Sequence, residues 1–324
     1  GEEEAMSQSL LKAEHIKISF GNVHALRDVS LEILPGEIHC LAGENGCGKS
    51  TIIKIISGVY QRDGGTIEFN GQKIDKISPI DAINLGIQVI YQDFALFPNL
   101  TVAENLALNT ELASRKKTVS WKNVRKIAEE AVSKINFQVD LDEKVEKLTV
   151  AQKQMVAISR ALMSNAKLII MDEPTVAVDP QSRNSILEGI KRLNKNGATI
   201  IYTSHYMEEV EQICSKIAII DKGQCIAYGT KEELKKMIKT GETITLEGIM
   251  LEAENIKEIG NIPHVFDVSY NEQTLVVRCT GAKHNLIRIL EYMNNKDISF
   301  GRVFSELPTL NDVFLEITGK KLRD

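Results

Sequence analysis

Apolar and polar residues alternate over residues 15–20 and again over 29–33, the period-two rhythm of strands that bury one face. Pro35-Gly36 marks a turn before a short continuous apolar run, 38–42, which ends in a glycine-rich loop. A helical stretch follows over 50–57 and is stopped by Gly58, and Gly64-Gly65 opens a hairpin-like segment that runs to Lys73. Helical spacing returns over 124–135 and over 150–162, where Met155, Ile158, Ala161 and Leu162 share one face. Residues 168–171 read as a buried strand, 185–193 as a helix closed near Gly197, and 199–202 and 217–220 as apolar strands. Strands alternating with helices predict a largely parallel sheet with helices on both faces.

Near residues 239–241 the pattern changes. The tail reads as strand 244–246, helix 253–259, strand 265–270, turn 271–273 and strand 274–279. Helix 285–293, strand 298–304 and a last helix 311–317 complete it, an order that resembles a split βαβ, ferredoxin-like unit. This divides the chain into a first domain, 9–238, and a small C-terminal α+β domain, 243–324. Residues 1–8 are set apart as tag or disordered, because Gly1-Glu2-Glu3-Glu4-Ala5 before Met6 looks like a cloning remnant.

Composition narrows the function. The 324 residues carry 39 basic and 44 acidic side chains, a net charge of −5. From residue 241 onward there are 9 basic and 13 acidic residues, so most of the excess sits in the tail. A nucleic-acid binder usually shows a basic excess, and no nucleic-acid partner is expected. No apolar run approaches the roughly 20 residues that span a bilayer. The five cysteines are odd in number and scattered, without a CxxC pair, which indicates neither a zinc site nor a disulfide framework and suits a reducing cytoplasm.

The chemistry concentrates in two places. Gly43-Glu44-Asn45-Gly46-Cys47-Gly48-Lys49-Ser50 fits GxxxxGK(S/T) and lies between a predicted strand and a predicted helix. In such a loop successive backbone N–H groups curl around phosphate oxygens, and the helix N-terminus adds partial positive charge. Lys49 would reach the β- and γ-phosphates and Ser50 would bind Mg²⁺. Cys47 occupies an unspecified position of the motif and receives no redox role. Further on, the apolar run 168–171 ends in Asp172 and Glu173, 123 residues after Lys49. Asp172 at the strand tip suits Mg²⁺ held through water, and Glu173 suits polarisation of an attacking water.

With these motifs on the page, residues 11–235 resemble the ATP-binding cassette (ABC) ATPases, whose elements occur here in the family's order. Phe20 stands where an aromatic stacks on adenine, and Gln92 matches the Q-loop glutamine. Leu148-Thr149-Val150-Ala151-Gln152 stands where the LSGGQ signature is expected, Asp179 matches the D-loop aspartate and His205 the H-loop histidine. The resemblance implies an α/β fold of the P-loop NTPase, ABC cassette type: a mixed, mostly parallel sheet with helices on both faces, plus a helical subdomain over about 93–165. It implies ATP and Mg²⁺ as ligands. Lys49, Gln92, Glu173 and His205 would be catalytic, and Ser50, Gln92 and Asp172 would hold the metal. Phe20, Gly43, Asn45, Gly46, Cys47, Gly48, Lys49, Ser50 and Thr51 would bind the nucleotide from one side. Thr149, Val150, Ala151, Gln152 and Asp179 would bind it from a second ABC ATPase subunit in an ATP-dependent, head-to-tail homodimer.

The signature departs from the consensus. Thr149 keeps a hydroxyl, but Val150 and Ala151 replace two glycines, and their side chains restrict the backbone there. The family's other implied partner is a transmembrane permease subunit, with the cassette peripheral at the cytoplasmic face of the membrane. The apolar stretch Phe94, Leu96, Phe97 and Leu100 after Gln92 would receive a short helix of that subunit. Residues up to about 170 resemble monosaccharide-importer cassettes. From Asp179 onward, and in the tail that contains Leu307-Pro308-Thr309-Leu310, the chain resembles drug, polysaccharide and lipid exporters, and the single cassette favours export. Non-transport relatives fit less well: Thr149 follows Gln92 by 57 positions, too few for a coiled-coil insertion, and a P-loop kinase or GTPase would lack the signature and the histidine.

Overall fold

The strand Ile38–Ala42 is buried at all five positions, as a strand covered on both faces must be. It is the third of ten strands in one sheet: β1 (Leu11–Phe20), β2 (Val23–Ile33), β3 (Ile38–Ala42), β4 (Gly64–Phe69), β5 (Gln72–Ile74), β6 (Ile87–Ile90), β7 (Leu168–Asp172), β8 (Thr199–Ser204), β9 (Lys216–Asp221) and β10 (Gln224–Gly229). Their order is β5-β4-β1-β2-β10-β9-β3-β8-β7-β6. In this computed structural model the described residues are 8–91, 95–113, 120–163 and 166–319. They fall into two compact units, Gly1–Tyr228 and Gly229–Asp324.

In the first unit β9, β3, β8, β7 and β6 run parallel, and the helices α1 (Lys49–Ile56), α2 (Pro79–Leu85), α3 (Val102–Ala113), α4 (Trp121–Lys134), α5 (Val150–Leu162), α6 (Pro180–Lys195) and α7 (Met207–Ile213) lie in their connections. The sheet is mixed, as the family resemblance implies, and β2 and β10 also pair parallel. β1, β2, β4 and β5 pair antiparallel, because short turns rather than helices join most of them. β2 also begins at Val23, before the expected residue 29. Its first residues are largely exposed and carry little alternation, yet they pair with the end of β1. Short α2, α7, β6 and β10 escape the periodicity reading altogether, although Ser78, Pro79 and Asp81 form the capping box that announces α2.

The main core gathers Ile16, Val29, Leu41, Ile53, Ile170 and Ile220, among others, between the sheet and α1. A second cluster belongs to the helical part, where Val102 and Leu106 of α3 meet Val124 and Ala128 of α4 and Val156 of α5. Buried Asn105 fixes the apolar loop ahead of α3. Its Oδ1 accepts from the Phe97 N–H at 2.8 Å, and its Nδ2 donates to the carbonyls of Phe97 and Thr101 at 3.0 Å each.

The second unit holds α8 (Lys231–Lys236), β11 (Glu242–Glu247), α9 (Ala253–Gly260), β12 (Val265–Asn271), β13 (Thr274–Cys279), α10 (Asn285–Asn295), β14 (Arg302–Glu306) and α11 (Leu310–Thr318). Its antiparallel sheet has the order β12-β13-β11-β14, the arrangement of a split βαβ, ferredoxin-like unit. Every second residue of β11 and β13 (Ile244, Leu246, Leu275, Val277, Cys279) is buried against Ile289 and Met293 of α10. The last strand begins at Arg302 rather than 298: Ile298 and Phe300 pack on this core but stand outside the ladder. Among the described residues no helix is long and apolar enough to cross a membrane.

His39 of β3 is fully buried, its ring 5.5 Å from that of Tyr228, with neither ring nitrogen hydrogen-bonded. Burial, and secondarily the charge of Lys216, lowers its pKa from 6.5 to about 3. The unfolded chain takes up this proton below pH 6.5 and the folded chain does not until about pH 3. Stability is therefore held above pH 6.5 and lost below it, by about 1.4 kcal/mol per pH unit for one proton. His39→Leu should flatten the fall of the denaturation midpoint between pH 7 and pH 4.5. An unchanged pH slope would contradict this account.

Candidate functional site

The loop between β3 and α1 cannot be built without glycine. Gly43 has φ 154°, and a Cβ there would lie 2.3 Å from the carbonyl oxygen of Ile220. Gly48 has φ 119°, and a Cβ there would lie 2.7 Å from Leu26 Cδ2. The Gly223 N–H donates to the Cys47 carbonyl at 2.8 Å and anchors the loop from β9–β10. Lys49 opens α1 with only 4% of its side chain exposed. Its ammonium donates to the carbonyls of Gly43 at 2.6 Å and Glu44 at 3.1 Å.

Parallel pairing sets Asp172, the last residue of β7, opposite Thr203 of β8. The Thr203 hydroxyl donates to Asp172 Oδ1 at 2.9 Å and accepts from the Glu173 N–H at 2.8 Å. Glu173 adopts φ 47°, a left-handed conformation that costs about 1–3 kcal/mol in a residue with a Cβ. Its Oε1 lies 3.5 Å from Lys49 Nζ and 3.5 Å from His205 Nδ1. These are ion-pair distances rather than short hydrogen bonds.

The carboxyl ends of β3, β7 and β8 thus meet around one cleft of about 570 Å³. Asn45, Gly46, Gly48, Lys49, Ser50 and Thr51 line one side. Asp172, Glu173 and His205 line the other, with Val176 and Tyr206, which the motifs did not name. Ser50 brings an exposed hydroxyl and Asp172 a carboxylate. Two oxygen donors beside a phosphate-binding loop suit Mg²⁺, which keeps the rest of its shell for waters and phosphate oxygens.

The other predicted residues lie apart from this cleft. Cys47 is buried under the loop, and burial pushes its thiol pKa up. Phe20, at the end of β1, is half exposed and meets Tyr60 edge-on, ring centres 5.1 Å apart. Thr149 caps α5 in a capping box: its hydroxyl accepts from the Gln152 N–H at 3.2 Å, and the Gln152 side chain accepts from the Thr149 N–H at 3.0 Å. Val150 beside them is exposed, and Thr149, Ala151 and Gln152 line a second cleft of about 700 Å³ with Ser182 and Arg192 of α6. Asp179 caps α6 and accepts from the Ser182 N–H at 2.9 Å, and hydrogen bonding with Ser182 holds its carboxyl below the usual range. Gln92 lies outside the described residues, as does Phe94.

Sequence reasoning missed Thr203, Tyr206, Arg183 and Glu209. Thr203 carried one signal, a hydroxyl near the strand end two positions before His205; the others carried none.

A family model described as ABC transporter matches residues 26–176, and one described as the DrrA1-3-like ATP-binding protein C-terminal domain matches 229–318. The linearmycin resistance ATP-binding protein LnrL of Bacillus subtilis (strain 168) is 37% identical over 322 residues, covering 97% of this chain and 100% of that protein. The chain belongs to the ABC transporter ATP-binding proteins. Like its homologues in this family it is an ATPase. The ribose import ATP-binding protein RbsA of the same organism is 38% identical over 216 residues, 67% of this chain. This cassette spans 44% of that relative, less than half its length. Among solved structures, an ABC transporter cassette in its ADP conformation is similar at 30% identity with TM-score 0.62, covering 70% of this chain and 92% of that one. A dimeric cassette with ADP and phosphate is similar at 26% identity with TM-score 0.59, covering 68% and 98%.

Gly48→Ala tests whether the loop geometry holds the nucleotide. Strain of about 1–3 kcal/mol at this φ should open the loop. ATP binding, followed by titration calorimetry, should weaken about tenfold or more. Unchanged affinity in the variant would contradict the role given to this backbone.

Proposed function

We propose that this ABC ATPase powers export, as one of two identical cassettes bound to a transmembrane permease at the cytoplasmic face of the membrane. The observation that carries export is the end-to-end similarity to a resistance protein, C-terminal domain included. Ribose import has support from the first domain alone.

In this reading the γ-phosphate of ATP enters between the Gly43–Ser50 loop and the ends of β7 and β8. Lys49, already desolvated, exchanges its loop carbonyls for β- and γ-phosphate oxygens, and the α1 N-terminus adds backbone donors. Ser50 and Asp172 would hold Mg²⁺, which supplies charge neutralisation for the phosphates when bound. Glu173 accepts a proton from the attacking water, and His205, 3.5 Å from that carboxylate, contacts the γ-phosphate. Phe20 supplies the adenine platform, with Tyr60 at its edge. Gln92 senses the metal and the permease, and further along the chain Asn105 holds the loop ahead of α3. Phe97 in that loop is 48% exposed, which suits a docking surface.

The signature and Asp179 complete the second half of the site from the partner cassette. Their separation from the phosphate cleft within one chain supports this assignment. So does the exposed N-terminus of α5, whose dipole favours an approaching phosphate.

Two variants test the division of labour. Lys49→Ala should lose nucleotide affinity by at least tenfold, since a charged hydrogen bond is worth about 1.5–3 kcal/mol. Glu173→Gln should bind ATP within about threefold of the parent while kcat falls by about a hundredfold or more. Light scattering of the Glu173→Gln protein with ATP and Mg²⁺ should then give twice the monomer mass. Equal loss of affinity in both variants, or a strict monomer at saturating ATP, would overturn the reading.

A further inference from the structure

Glu209, on α7, is 3% exposed and lies directly behind the cleft. Three hydroxyls converge on its Oε2: Tyr202 at 2.6 Å, Thr175 at 2.8 Å and Ser204 at 3.1 Å. Arg183 of α6 brings Nε to 3.2 Å from the other oxygen, an ionic contact rather than a directed hydrogen bond. Burying a carboxylate is costly unless its charge is compensated, and here four groups compensate it. None of the four belongs to the phosphate loop.

Each partner belongs to a segment that carries a proposed site residue. Thr175 stands two residues after Glu173, whose left-handed backbone must be held from outside. Ser204 precedes His205, and its hydroxyl also accepts from the Tyr206 N–H at 2.9 Å. The Tyr206 ring lies 4.1 Å from the His205 ring and 4.6 Å from the Arg183 guanidinium carbon. Arg183 sits in the first turn of α6, and its N–H donates to the carbonyl of the Asp179 cap at 2.9 Å. One carboxylate therefore ties together the segments next to Glu173, His205 and Asp179.

We propose that Glu209 is a positioning residue for ATP hydrolysis: its convergent hydroxyl and guanidinium contacts lock Glu173 and His205 at the γ-phosphate without contributing to nucleotide affinity. This rests on the reading of Glu173 and His205 as the groups that meet the attacking water and the γ-phosphate. A displacement of about 1 Å in a reacting group costs on the order of a hundredfold in rate, so slackening this knot acts on the chemical step. The sequence gives no motif for it, because its partners come from a strand, a loop and a helix.

The experiment measures kcat and the Kd for ATP separately in Glu209→Gln, which keeps size and one acceptor oxygen but abandons the charge that Arg183 faces. Glu173→Gln serves as the reference. Expected are a fall in kcat of about tenfold or more with Kd within about threefold. Unchanged kcat in Glu209→Gln, with Glu173→Gln inactive, would overturn this proposal alone. Weakening of Kd by the same factor as kcat would also overturn it, since the knot would then support the nucleotide pocket as a whole. Turnover persisting in Glu173→Gln would instead overturn the reading on which it rests. Should Glu209→Gln fail to fold, Tyr202→Phe removes one hydroxyl without opening a cavity. A fall in kcat of about threefold at constant Kd supports the proposal, and no fall overturns it.

Discussion

A buried ammonium group organises the cleft. Lys49 is almost wholly removed from water, and such a charge is tolerated only when oxygen atoms surround it. Two of these oxygens are carbonyls of its own loop, which can turn inward only because Gly43 and Gly48 adopt backbone conformations closed to residues with side chains. The third is the Glu173 carboxylate, brought across the cleft by another left-handed residue. The strain on both sides persists because the parallel register of β3, β8 and β7 fixes where their ends stand. Moving any of these strands by one residue would turn the ends away from one another.

Thr203 and Glu209 extend that constraint outward. Thr203 spans the last rung of the ladder and holds both carboxylate residues of β7's end through one hydroxyl. Glu209 gathers the next layer, so buried polar contacts adjoin both Glu173 and His205. The phosphate loop is secured independently, through Gly223 and the first turn of α1. In the proposed reading, binding and turnover draw on these two sets of contacts, which meet at Lys49 and Glu173.

The phosphate loop and the strand-end carboxylates were legible in the sequence because fixed spacing carries their chemistry. The ferredoxin-like order of the second unit was legible because β11 and β13 alternate cleanly. The antiparallel half of the first sheet was less so: the first half of β2 is exposed and β5 spans three residues, leaving little pattern to read. Cys47 sits inside the phosphate motif but under the loop, since a consensus position does not state which way its side chain turns. The Thr149–Gln152 segment was legible as a motif, yet its hydroxyl and amide are engaged in capping α5, which the motif alone does not reveal. Glu209 left no local trace, because two of its contacts reach back to Arg183 and to Thr175, the latter 34 residues away.

The most direct test of this account is a crystal structure of Glu173→Gln with ATP and Mg²⁺. The account predicts the γ-phosphate in the cleft between the Gly43–Ser50 loop and His205, with Lys49 Nζ on phosphate oxygens and no longer within hydrogen-bond reach of the Gly43 and Glu44 carbonyls. ATP bound with Lys49 still donating to both carbonyls, or a nucleotide outside this cleft, would contradict it.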